Sequence, residues 1–340
     1  MQPMSPSQKP KETARTLGEH RIIQIIRKHL TPMHNMPIQF GDDVSGVNVD
    51  KTVAVLKTDM LVAETDVPKG MSIWQAARKA IVMNVSDFAS KGAKPTVALV
   101  ALGLPNHFSR SDIEEIAKGL NAGAQEYGVY VIGGDTSQTS ELIISVSMFG
   151  TAEKSALMLR SGAKPGDILA VTGFFGKSAA GLRLLLDHYS VETEKIKVLP
   201  ESVLMPKARL AEGLSLENSG VVSASIDSSD GLAWSLHELA RLSNVGFALN
   251  FVPIADEVKD FAKQNRLDAS ELALYGGEEY ELVLTVKPEG WKAAVAAVEA
   301  VGGQLISIGK ATKERQIILK VDNQKCQIQA RGWEHFKTQS

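Results

Sequence analysis

The chain has 340 residues, 44% hydrophobic and 22% charged, which is the make-up of a soluble globular protein with room for two ordinary domains. A formal charge of −2 and an aromatic content of 6% argue against a basic nucleic-acid footprint and against base-stacking platforms. No apolar run approaches the roughly 20 residues that span a bilayer. The polar start MQPMSPSQKPKETAR lacks a secretory h-region, so a cytoplasmic protein with a flexible tail over 1–16 is expected. The single cysteine, Cys326, excludes an internal disulfide and a Cys-based zinc site, and reads as a small half-buried residue.

Apolar residues at Leu17, Ile22, Ile25, Ile26 and Leu30 have helical spacing, and prolines 32 and 37 close that segment. FGDDVSG (40–46) is a Gly-bounded loop leading to a strand, TVAVLKTD (52–59). A long helix is predicted from Ile73 to Ser90, a strand over KPTVALVALGLP (94–105), and a helix over about 111–126 capped by Ser109 or Ser111. The strands VYVIGG and ELIISVSMFG (141–150) complete the first half. The turn-rich LRSGAKPGD opens the second half. It continues with strand ILAVTG, helix SAAGLRLLLDHY, strand VVSASID and helix GLAWSLHELARLS. After a polar stretch over 253–272 come strand YELVLTV, helix WKAAVAAVEAVG and terminal strands over 304–329. Mixed strands and helices in both halves give an α/β or α+β class, with domains expected over 17–152 and 153–340.

Aspartates carry the chemical signal. Asp42 and Asp43 lie in FGDDVSG, Asp59 in KTDML, Asp87 in NVSDFASKGA, Asp135 in IGGDTS, and Asp227 and Asp230 in IDSSDG. Surface acids are usually interleaved with Lys and Arg, whereas these follow apolar strand-type runs or sit inside an apolar helix. A carboxylate at the end of a buried strand is costly unless a cation or several donors compensate it. Hard divalent cations, Mg²⁺ above all, accept such oxygens and keep water and substrate phosphates as their other ligands. The pattern points to an enzyme that handles polyphosphates with several Mg²⁺ ions.

Each motif also has a plainer reading. Asp87, on a polar edge with Asn84 and Lys91, is either a ligand, a solvated residue or a partner for Lys91. Asp59 and Asp135, placed just beyond strand ends, are either ligands or turn and cap residues. Gly133 and Gly134 suit close approach of backbone N–H groups to a phosphate. Asp227, Ser228 or Ser229 is each able to cap the following helix, and one cap needs only one of them. The glycines and Lys177 of GFFGKSAAG (173–181) look like a phosphate loop but miss the GxxxxGK[ST] spacing. GGEEYE (276–281) is a Gly-Gly turn whose acids either meet a cationic substrate or simply open a strand. HExxH and GxSxG motifs are absent from the sequence.

Taken in order, GDD (41–43), TDML (58–61), NVSDFASKGAKP (84–95), IGGDTS (132–137), RSGAKPGD (160–167), VTG…SAAGL (171–182), IDSSDGLAWSL (226–236) and GGEEYEL (276–282) resemble the thiamine-monophosphate kinase family. The resemblance runs from about Gly18 to Phe336. That family shares an ATP-binding superfamily with aminoimidazole ribonucleotide synthetase, selenophosphate synthetase and a hydrogenase maturation factor. The reactive N-terminal thiol or selenol of the second, the C-terminal thiol of the third and the DGVGTK-like stretch of the first are all missing. Two departures stand out: Asp66-Val67 replaces a His-Phe pair, and Glu279 replaces an Asp in the GGEDYEL motif.

The resemblance implies an N-terminal mixed sheet with helices on one face, pairing with a second copy in a barrel-like homodimer interface, and a C-terminal α/β layer. It implies Mg²⁺ held by Asp43, Thr58, Asp59, Asp87, Asp135, Asp227 and Asp230. ATP would be contacted by Gly134, Asp135, Arg160 and Ser229, and thiamine monophosphate by Asp66, Glu278 and Trp333; Asp42 stays unassigned. Rival readings are a superfamily member with another acceptor and a nucleotide binder without catalysis.

Overall fold

A computed structural model describes residues 13–29, 33–39, 41–186, 189, 198–321 and 324–336. Most of the expected tail, with Leu30 and Pro32, lies outside the described residues. The described residues form two compact units, one from within 1–35 and 333–340 and one from within 36–332. In the first, the predicted N-terminal helix is divided at Gly18, whose φ is 74°, into α1 (Ala14–Leu17) and α2 (Glu19–His29).

The larger unit begins with β1 (Ser45–Val49), β2 (Thr52–Val62) and the short α3 (Ala63–Asp66), then α4 (Ile73–Lys91), β3 (Lys94–Leu104), α5 (Arg110–Glu126), β4 (Tyr130–Gln138) and β5 (Ile143–Glu153). Among the described residues these strands form a sheet in the order β1-β2-β5-β3-β4, antiparallel except for the parallel pair β3 and β4. Val53, Val55, Leu61, Val100, Ile144 and Val146 are buried on its inner face, where α4 packs. The outer face leaves Leu56, Met60, Leu99, Tyr130, Ile132 and Phe149 exposed. Alternation along each strand separates the two faces.

Helix α4 is the axis of the site. A capping box between Ser72 and Gln75 starts it, and Gly92, at φ 61°, ends it. It is buried on nearly every side, because β2, β5, α5, β7 and α8 all pack on it. The polar groups between Arg78 and Lys91 are therefore enclosed, and Asp87 is buried rather than solvated.

The chain continues with β6 (Ile168–Val171), α6 (Lys177–Leu186), α7 (Leu199–Leu204), α8 (Leu210–Ser219), β7 (Val222–Asp227), α9 (Leu232–Ser243) and β8 (Gly246–Leu249). Then follow α10 (Asp256–Asn265), α11 (Ala269–Tyr275), β9 (Leu282–Val286), α12 (Trp291–Glu299), β10 (Ile306–Thr312), β11 (Ile317–Val321) and β12 (Gln324–Gln327). The second sheet runs β12-β11-β8-β10-β6-β9-β7. The mixed α/β character read from the sequence is present in both sheets.

Several local expectations are corrected. β1 begins inside what reads as a loop, and α7, α8 and β8 have no counterpart among the predicted elements. The polar stretch 253–272 holds α10 and most of α11, whose buried stripe of Val258, Phe261, Ala262 and Leu272 is diluted by charged residues on the other side. Cys326 is exposed, because β12 lies at the sheet edge. No helix of the described residues is long and apolar enough to cross a membrane.

Candidate functional site

Asp43, Asp87 and Asp227 each offer a carboxylate oxygen within 4.8 Å of the others, and all three are buried. They come from the loop before β1, the middle of α4 and the end of β7. Ser90 Oγ donates to Asp43 Oδ2 at 2.8 Å, and Ser86 Oγ donates to Asp227 Oδ2 at 2.6 Å. Both serines flank Asp87 on α4, so one helix positions all three acids. The hydroxyls of Ser225 and Ser228 are buried nearby in the chain without a hydrogen-bond partner.

Cations surround the group. Lys91 Nζ meets Asp42 Oδ1 at 2.8 Å, Asp43 Oδ2 at 2.7 Å and the Ser225 carbonyl at 2.7 Å. Arg160 donates through Nε to Asp43 Oδ1 at 2.6 Å and through Nη2 to the same oxygen, and its Nη1 reaches the Gly41 carbonyl at 3.0 Å. Its backbone N–H donates to Asp42 Oδ2 at 3.1 Å. Asp42 thus anchors the loop. Lys91 serves the loop acids and not Asp87, whose partner is Lys57 Nζ at 2.9 Å; that ammonium also lies 3.1 Å from Asp59 Oδ1.

The charges respond to this geometry. Burial alone would raise the Asp43 carboxyl, but Arg160 and Lys91 overcome it and hold Asp43 well below the usual carboxylate range. Burial raises Asp87 well above that range against the pull of Lys57, and Asp227, Asp59 and Asp43 add to the rise. Asp227 is pushed up to about 6 by burial and by Asp43, partly offset by the Ser86 hydrogen bond. Such a set favours a bound cation, because like charges at this spacing repel one another in a weakly polarisable interior.

Asp59 lies within β2, and Asp135 within β4, so neither sits beyond a strand end. Asp59 shares the inner face with Lys57, while Thr58 points to the outer face, where its hydroxyl is 3.1 Å from Ser147 Oγ. Asp59, Asp135 and Asp230 are outside the close group of three. A side chain at Gly134 would collide with the Val100 carbonyl, so strand packing already requires a glycine there. Helix α9 is capped by Gly231 at φ 106° with no side-chain cap bond, so capping does not account for Asp227, Ser228 or Ser229. A cavity of about 530 Å³ extends from Asp42, Asp43 and Lys57 to Thr58, Ser147 and Ile132.

The turn 276–281 is tied to this centre by its backbone. Glu278 N–H donates to the Ser229 carbonyl at 2.6 Å, and Tyr280 N–H to the Ser228 carbonyl at 3.0 Å. Glu278 and Tyr280 both hold left-handed backbone, at φ 62° and 54°, a costly conformation that clusters at functional sites. Buried Lys79 of α4 bonds Glu278 Oε1 at 2.5 Å and the Asp66 carbonyl at 2.9 Å, joining two of the substrate candidates. Trp333 belongs to the other compact unit, where its ring meets His335 edge-on at 6.0 Å.

Sequence reasoning missed Lys57 and Lys79. A signal existed for each: Lys57 precedes Asp59 by one strand period, and Lys79 interrupts an apolar helix.

Residues 41–152 match the family model described as AIR synthase related protein, N-terminal domain, and residues 164–322 match its C-terminal domain counterpart. The chain is 35% identical over 321 residues to a thiamine-monophosphate kinase of Nitrosopumilus maritimus, covering 94% of this chain and 99% of the relative. It is 35% identical over 316 residues to a thiamine-monophosphate kinase of Pyrococcus horikoshii, covering 92% and 96%. A solved structure of AaThiL complexed with AMPPCP and TMP superposes with a TM-score of 0.83 at 29% identity, over 96% of this chain and 99% of that one. Identity of this order, sustained along almost the whole length, assigns the chain to one family: it belongs to the thiamine-monophosphate kinases, built on AIR synthase related domains.

Proposed function

We propose that this protein phosphorylates thiamine monophosphate with ATP, forming thiamine diphosphate and ADP. The buried group of Asp43, Asp87 and Asp227 is the observation that carries the reading, since a donor set of three carboxylates suits Mg²⁺. A structural relative that binds AMPPCP and TMP supports the choice of substrates. An oxygen of the terminal phosphate of thiamine monophosphate attacks the γ-phosphorus of ATP in line. The bond from that phosphorus to the β,γ-bridging oxygen breaks, and its electron pair leaves with ADP.

Asp43, Asp87 and Asp227 would hold Mg²⁺, and Thr58, Asp59, Asp135 and Asp230 belong to the same proposed set. When bound, Mg²⁺ would offset the repulsion between the triphosphate of ATP and the acceptor phosphate. Lys91 and Arg160 keep the Asp42–Asp43 loop in place, and Arg160, Gly134 and Ser229 contribute to the nucleotide side. Glu278, Asp66 and Trp333 are assigned to the thiamine moiety, Glu278 toward its cationic ring and Trp333 by stacking. The acceptor phosphate is already ionised, so positioning and charge balance replace a strong general base.

The division into domains 17–152 and 153–340 belongs to this reading, supported by two sheets whose strands run over 45–153 and 168–327. So does a homodimer formed through the outer face of the first sheet, supported by the exposed Leu56, Met60, Leu99, Tyr130 and Ile132, and a cytoplasmic location. The test is incubation with ATP, Mg²⁺ and thiamine monophosphate, followed by chromatography for thiamine diphosphate. Nucleotide binding without product would overturn the kinase reading in favour of a binder.

A further inference from the structure

Lys57 differs from the other cations of the site. Lys91 is committed to a backbone carbonyl and to the acids of the loop, and Arg160 to the loop and, at 4.0 Å, to Glu238. The ion-pair partners of Lys57 are Asp87 at 2.9 Å and Asp59 at 3.1 Å. Residues 57 and 59 share the inner face of β2, and Asp87 comes from α4, which packs against that face. The ammonium therefore joins two carboxylates from different elements, each in a motif tied to the metal set. We propose that Lys57 is a tethered cation that takes the place of one divalent ion between Asp59 and Asp87, and so limits how many metal ions the acids hold.

This rests on the metal-assisted reading of the site and narrows it. An ammonium and a divalent ion cannot both sit between the same two oxygens, since they would compete for the same lone pairs and repel at a few ångströms. The acid set then divides into two parts. Asp43, Asp87 and Asp227 still offer one oxygen each within 4.8 Å of one another, while the position between Asp59 and Asp87 is filled from within the chain. The two cations also differ in kind: the lysine supplies one positive charge and three N–H donors, whereas Mg²⁺ supplies two charges and retains exchangeable water.

The experiment counts Mn²⁺ bound to the full chain by calorimetry and by the paramagnetic resonance of free Mn²⁺, without nucleotide. The wild type is compared with Lys57→Ser, the longer neutral Lys57→Gln, and Lys57→Arg, which keeps the charge. Both neutral variants are expected to bind one further Mn²⁺ per chain, with roughly tenfold or greater gain over any weak wild-type binding at that step. They are also expected to melt below the wild type in chelator and to recover with Mn²⁺, while Lys57→Arg keeps the wild-type count. An unchanged count and affinity in both neutral variants would overturn the inference alone. A wild type that binds no Mn²⁺ would overturn the metal-assisted reading as well, so the two failures are distinguishable.

Discussion

The backbone N–H of Gly176 donates to Glu279 Oε1 at 2.7 Å, and the same oxygen accepts from Ser178 N at 3.1 Å and Ser178 Oγ at 2.9 Å. The start of α6, which resembles a phosphate loop, thus holds a carboxylate of the chain itself. Gly173 is accounted for by Glu281, whose carboxylate fills the space that a Cβ would need. Lys177→Ala is therefore expected to change kcat/KM by less than about fivefold, whereas a P-loop lysine would cost orders of magnitude. Steady-state kinetics with both substrates varied checks this.

Glu279 also predicts a pH dependence of stability. Burial pushes its carboxyl up to about 7, against the opposing hydrogen bonds from Ser178 and Gly176, from an ordinary 4.5. Between those values the folded state binds more protons than the unfolded one, so this group's contribution falls as pH rises from about 4.5 to about 7. In Glu279→Gln that loss disappears, and the variant should gain on the wild type by roughly 2–3 kcal/mol between pH 5 and pH 8. Urea melts of both proteins at those two pH values measure the difference; a constant gap would refute the shift.

Asp87→Asn should lower turnover about a thousandfold, a loss of roughly 4 kcal/mol of transition-state stabilisation. The fold should survive, because burial already favours the neutral carboxyl at this position and Asn is nearly isosteric. Circular dichroism establishes folding, and product formation in a single turnover gives the rate. Wild-type turnover in the folded variant would remove Asp87 from the metal set.

Lys79→Met is expected to raise KM for thiamine monophosphate about tenfold, with a smaller change in KM for ATP. The lysine joins Glu278 to the carbonyl of Asp66, and its loss frees a strained turn. Separate titrations of the two substrates provide the readout, and equal effects on both would point to a general structural role.

Mg²⁺ with ATP should raise the melting midpoint by several degrees more than ATP with a chelator. The acids repel a polyphosphate unless a cation intervenes. A ligand at a hundredfold over its Kd stabilises the native state by roughly 2.7 kcal/mol. Thermal melts with no ligand, Mg²⁺, ATP plus chelator, and both ligands decide it; equal shifts with and without metal would contradict a metal cluster.

The sequence by itself determined the elements whose signal is local. The α4 span was legible from its apolar periodicity, its start is sealed by Ser72 and its end by Gly92. The ordered acidic motifs sufficed for the family, because each combines a glycine or small residue with an acid where burial is expensive. Tertiary structure decided which acids meet. Asp43, Asp87 and Asp227 converge only because the loop before β1, α4 and β7 pack together, and no spacing along the chain encodes that. Two cations were also hidden: a lysine reads as a solvated residue until its surroundings are known, and Lys57 and Lys79 find their partners across distant segments, while Lys91, read beside Asp87, pairs with Asp42 and Asp43 instead. Gly134, read as suited to a phosphate contact, answers first to packing against Val100, and Gly173 of the rejected phosphate loop answers to Glu281. Periodicity and turn chemistry act between near neighbours and can be read in order, whereas Coulomb interactions and steric exclusion act between whatever the fold brings within a few ångströms.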